Sequence, residues 1–195
     1  MIMSTLGCAP SSPHEAKAPP PATQPIANVP NVDQQVIEAA LLDLLALSDS
    51  PVAARKAPPA ELRFAAQAST YPVKAQQVLM RHQKERWDAL SKEQLDAATE
   101  AANDLVRRHE AKETFAPFTP TDARVKVETQ PRPTTIGSIY ERPIHAWSPG
   151  YTRDGRYAIV FLSIPWSMHH ADGTYLLERQ DNGWKVRLRQ FVYYV

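Results

Sequence analysis

Two different periods of hydrophobic residues divide the chain. From Val36 onward apolar side chains recur at helical intervals: Val36, Ile37, Ala40, Leu41, Leu44, Leu45 and Leu47 fall on one stripe, with Gln34, Gln35, Glu38 and Asp43 largely off it. A helix over 33–47 follows, capped by Asn31 or Asp33. A further short helix is expected within 58–70, carrying Leu62, Phe64, Ala65, Ala66 and Ala68. A longer one over 72–89 places Ala75, Val78, Leu79 and Trp87 near one side. Ser91-Lys92-Glu93-Gln94 then spells a capping box, flanked by Leu90 and Leu95 as a hydrophobic staple. The helix it opens runs to about residue 112 and buries Leu95, Ala98, Ala101, Ala102, Leu105 and Val106.

After 115–120 the period shifts to two. Five of the six glycines lie between Gly137 and Gly183, punctuating runs rich in Val, Ile, Tyr and Trp, so this half reads as a sheet. Strands are expected over 124–129, 144–148, 156–164, 174–179 and 184–194. In the third of these, Tyr157, Ile159, Phe161 and Ser163 alternate with Ala158, Val160, Leu162 and Ile164, so both faces call for cover. Pro165 is expected to stop that strand and 166–172 to form a polar loop. The turns at Asp154-Gly155 and Asp181-Asn182-Gly183 are too short for a parallel crossover, so the strands form an antiparallel meander. The predicted fold is α+β, with N-terminal helices packed on a C-terminal antiparallel β-meander. One domain spans 31–195, its helical part 31–115 and its sheet 120–195.

Residues 1–30 stand apart. Between Cys8 and Pro30 there are seven prolines and no aromatic side chain, too little apolar area to offset the entropy of ordering, so a disordered leader is expected. The rest of the chain is different, since 43% hydrophobic and 22% charged residues across the whole sequence match a folding chain. The formal net charge of +1 gives no field that would gather nucleic acid. Lys185, Arg187 and Arg189 alternate along the last predicted strand and are expected to share one solvated face. No apolar run is long enough for a transmembrane segment.

Thr5-Leu6-Gly7-Cys8 resembles the end of a bacterial lipoprotein signal peptide, whose cysteine becomes the lipidated first residue of the mature protein. That resemblance implies a lipid anchor on Cys8, a proline-rich tether and a domain at the cell envelope, on the periplasmic side of a bacterial membrane. The basic and apolar parts of such a signal would then be encoded upstream of Met1. The alternative is a cytoplasmic protein with an inert tail. The stretch from Ser148-Pro149-Gly150-Tyr151 through Asn182-Gly183-Trp184-Lys185-Val186 is similar to the C-terminal part of uncharacterised exported bacterial proteins. It also resembles the late strands of cystatin-like and nuclear transport factor 2-like domains, a likeness that implies a curved sheet and no particular activity.

Candidate chemistry is sparse. Cys8 is the single cysteine, and the chain has no His-Glu-x-x-His, no glycine-rich phosphate loop and no nucleophile elbow, so no catalytic residue, metal or cofactor is assigned. One cluster draws attention. His169, His170 and Asp172 follow the strongest strand, His145 and Trp147 fall on the strand before it, and Trp166 flanks them. Imidazoles and a carboxylate between indole walls suit a small ligand. The expected function is therefore a non-enzymatic envelope protein that binds a ligand or a protein partner, or acts as a scaffold. Two alternatives are a small hydrolase or ligand-binding enzyme using His145, His169, His170 and Asp172, and a toxin- or immunity-type interaction module. The first requires those side chains to converge in a concave site.

Overall fold

The computed structural model describes residues 31–47, 61–79, 87–117, 119–129, 142–166 and 169–194, with the side chains of Trp166 and His169 excepted. The expected leader over 1–30 and residues 80–86 of the helix expected over 72–89 lie outside these residues. In chain order the elements are α1 (Val32–Ala46), β1 (Leu62–Ala65), α2 (Ala75–Leu79), α3 (Lys92–Glu110), β2 (Val125–Glu128), β3 (His145–Ala146), β4 (Gly150–Tyr151), β5 (Tyr157–Trp166), β6 (His169–Gln180) and β7 (Gly183–Tyr193). The α+β expectation holds: helices of the N-terminal half pack on a mostly antiparallel sheet that does not close into a barrel.

The sheet is ordered β3-β5-β6-β7, with β4 also paired to β5, and each of these pairings is antiparallel. β5 alternates as its sequence does. Ala158, Val160, Leu162 and Ile164 join Tyr175, Leu177 and the stripe Val36, Ile37, Ala40, Leu41 and Leu44 of α1 in one core. Tyr157, Ile159 and Phe161 join Leu176, Leu188, Val78 of α2 and the alanines of α3 in a second core. The sheet is thus sandwiched, with α1 on one face and α2 and α3 on the other.

Each long helix begins where its sequence provides a cap. The Asn31 side chain accepts from the Asp33 backbone N–H at 3.2 Å. Ser91 and Gln94 exchange reciprocal bonds of 3.2 and 3.0 Å across the first turn of α3. Ala98, Ala101 and Ala102 have no exposed surface, and β4 lies directly upon them. A Cβ on Gly150 would fall 2.0 Å from the Ala101 carbonyl oxygen, so only glycine admits this approach.

Three expectations need correction. First, Leu62–Ala65 is a strand, not helix: it pairs in parallel with β2 and, through Phe64, bridges Ile144 just before β3. Leu62 and Phe64 are buried while Arg63 reaches Glu128 at 2.8 Å, a two-residue alternation. Four residues are too few for period alone to separate strand from helix.

Second, 166–172 is not a polar loop. β5 runs through Pro165 to Trp166, and β6 begins at His169, with Pro165 opposite His170 and Trp166 opposite His169. Proline is tolerated because Phe161, Ser163 and Pro165 direct their backbone groups toward β3, as the 3.2 Å bond from Trp147 N–H to the Phe161 carbonyl shows. β3 begins only at His145, opposite Ser163, so no ladder bond requires the missing N–H.

Third, Lys185, Arg187 and Arg189 do not share a face. The β6–β7 register shifts between Leu176 and Leu177, which pair with Leu188 and Val186, leaving Arg187 as the extra residue of a bulge. Val186 therefore packs with the α1 core and Leu188 with the α3 core. Arg187 bonds Glu178 at 2.6 Å, and Arg189 reaches Asp43 of α1 at 3.2 Å.

Candidate functional site

On the α2/α3 face, where the sheet extends beyond α3 toward the β5–β6 connection, lies an open cleft of about 440 Å³. Cross-strand register builds its floor. His145 of β3 stands opposite Ser163 of β5, and Ser163 opposite Asp172 of β6, which puts three polar side chains in one row on one face. Successive strands lie about 4.8 Å apart, so the row spans roughly 10 Å. Trp147 and Phe161 form the apolar wall, with ring centroids 4.7 Å apart. Tyr71, Val73 and Gln77 close the side near α2, and the Trp147 indole N–H donates to the Tyr71 carbonyl at 2.9 Å. Arg142 and Pro143 form the lip before β3.

The electrostatics of the row are uneven. His145 is half-buried, and desolvation lowers its pKa from the ordinary 6.5, so its ring is neutral at physiological pH. Burial raises the pKa of Asp172 from the ordinary carboxylate value, opposed by a hydrogen bond from the Tyr194 hydroxyl and by the nearby His170. Burial and the Asp172 charge in turn raise that of Tyr194. His170 stacks on Tyr194 with centroids 4.7 Å apart, and its Nε2 stands 3.9 Å from Asp172 Oδ1, beyond hydrogen-bonding range. Arg142 is exposed and has no ion-pair partner among the described residues.

Of the six residues singled out in the sequence, His145, Trp147, His170 and Asp172 line this one cleft. The backbones of Trp166 and His169 pair with each other at the end of the hairpin, and their side chains lie outside the described set. Sequence reasoning missed Arg142, Tyr71, Gln77 and Tyr194 as parts of the site. Ser163 could have been found, since it shares the alternation of Phe161. Tyr71 and Gln77 could not, because they arrive from a segment some 70 residues distant by the fold alone. Among the described residues no three of His, Cys, Asp and Glu are grouped to hold a metal ion, and no helix is long and apolar enough to cross a membrane.

No protein-family model, no curated protein and no solved structure matches the chain.

Proposed function

We propose that this protein is a small-molecule binding domain and that the cleft over His145, Ser163 and Asp172 is its binding site. The observation that supports it most is convergence: His145, Trp147, His170 and Asp172, nominated from residue type and predicted strand position, line one concave surface with an aromatic wall. Binding is a better account than hydrolysis. A nucleophile relay needs an imidazole between hydroxyl and carboxylate, whereas here Ser163 occupies the middle of the row and Asp172 is engaged by Tyr194. Titration of a library of small aromatic amines, acids and alcohols, followed by amide NMR shifts, tests the reading. Perturbations should gather at Gln77, His145, Ser163 and Asp172; responses confined to other surfaces, or none, would overturn it.

The same proposal sets the domain at the cell envelope, tethered through Cys8. The supporting observations are Thr5-Leu6-Gly7-Cys8 and the proline-rich stretch behind it. Metabolic labelling with palmitate should mark the chain expressed from its genomic locus, and Cys8→Ala should abolish the label. A wild-type chain that takes up no label would remove the anchor.

A further inference from the structure

The row of polar groups has a chemistry more specific than its shape. From the structure we infer that the cleft takes a primary ammonium carried on an aromatic or apolar body, with the ammonium seated over Ser163 between His145 and Asp172. This inference rests on the cleft being a binding site and adds the class of ligand.

A primary ammonium has three N–H donors and no acceptor. The row offers three acceptors in complementary form: the lone pair of a neutral imidazole, a hydroxyl and a carboxylate. Its middle member lies one strand spacing from each neighbour, so a cation above Ser163 is within reach of both flanking side chains. Tyr71, Pro72 and Pro143 border the cleft with accessible apolar surface on which an aryl or alkyl body would lie, and Trp147 and Phe161, buried beneath, back that surface.

Two charges compete to decide the sign of the ligand. Arg142 would favour an anion, and Asp172 a cation. Arg142 is exposed at the lip, where water and salt screen it. The Asp172 side chain retains only 14% of its exposure; it accepts from the neutral Tyr194 hydroxyl, and the His170 imidazole is 52% exposed and out of bonding range. A desolvated carboxylate without a close cation gains more from a partner than a screened surface guanidinium does. The cation therefore wins.

Three isosteric probes separate the outcomes on the full chain by calorimetry and amide NMR: 2-phenylethylammonium, 2-phenylethanol and phenylacetate. The ammonium should bind at least tenfold more tightly than either other probe, shifting Ser163 and Asp172. Asp172→Asn should erase that preference by weakening the ammonium far more than the alcohol, and Arg142→Gln should keep or strengthen ammonium binding. Equal binding of all three probes in the cleft would overturn the ligand class and leave the binding reading standing. Preference for phenylacetate, lost in Arg142→Gln, would show that the lip cation governs and likewise overturn it. Failure of all three, with other compounds of the library bound in the cleft, overturns the ammonium alone; an entirely silent library overturns both.

Discussion

Arg108 of α3 grips Asp33 of α1 through two guanidinium nitrogens, at 3.0 and 2.9 Å, although the two helices cover opposite faces of the sheet. The pair passes beside β4. The same guanidinium donates to the Pro149 carbonyl and to Glu113, and it lies 5.6 Å from the centroid of the Tyr151 ring, whose hydroxyl donates to Asp33 at 2.6 Å. Desolvation opposes the charge on Arg108, but hydrogen bonds and the charge of Asp33 outweigh it and raise its pKa.

Replacing one partner of such a pair leaves the other charge buried and unpaired. Arg108→Met should destabilise the fold by about 3–5 kcal/mol in urea unfolding. Met in place of both Arg108 and Asp33 should recover part of the loss. A single variant within 1 kcal/mol of wild type, on the order of an exposed surface pair, would show that the clasp contributes little.

Gly150 is the point of closest approach between sheet and helix, since a Cβ there would lie 2.0 Å from the Ala101 carbonyl oxygen and 2.4 Å from the Leu105 nitrogen. Both are helix backbone and cannot rotate away. Gly150→Ala should cost about 3 kcal/mol or more, at the upper end of what overpacking causes. An alanine variant that melts with the wild type would mean that β4 stands off from α3.

Trp87 donates its indole N–H to Gln190 Oε1 at 2.6 Å, joining the segment before α3 to β7. Trp87 is buried and Gln190 has no exposed surface, so losing the indole N–H deletes a hydrogen bond shielded from water. Trp87→Phe should cost about 0.5–1.5 kcal/mol from the lost hydrogen bond, beyond lost packing. In a double-mutant cycle with Gln190→Leu the two losses should be less than additive; strictly additive losses would show that the bond is energetically silent.

Asp172 predicts a conflict between stability and binding. Its folded pKa lies above the unfolded value of 3.8, so over the interval between them the folded chain holds more protons and stability falls as pH rises. Asp172→Asn removes the penalty and can still accept from Tyr194, so the empty protein should melt higher at neutral pH. The advantage should fade as pH falls toward 3.8. Thermal scans across that range check it, and a variant less stable than wild type at neutral pH would show that the carboxylate is structural. His145 acts separately: its folded pKa lies below 6.5, so its burial adds no penalty above that pH and a growing one below it.

What the sequence disclosed follows the length and regularity of each signal. The stripe of α1, the capping box of α3 and the alternation of β5 are long or chemically distinctive, and each element lies within a residue or two of its predicted bounds. β1 was hidden because four residues carry little periodicity and its partners, β2 and Ile144, lie more than 60 residues away. The bulge was hidden for another reason. Alternation through 184–189 is unbroken in sequence, and only pairing with β6 shows that Arg187 is extra. The cleft was half legible: its imidazoles and carboxylate belong to the strands that form the floor, while Tyr71, Gln77 and Arg142 arrive from segments that give no local sign of proximity.

That extra residue also bears on solubility. Among the described strands β7 stands last in the order β3-β5-β6-β7, the place where a regular strand is most readily a template for another molecule. A bulge coils the strand and breaks its repeat halfway along, and a foreign strand docking there in straight register would lose its hydrogen bonds after a few residues. Removing one residue at Arg187 would restore the regular pairing repeat with β6.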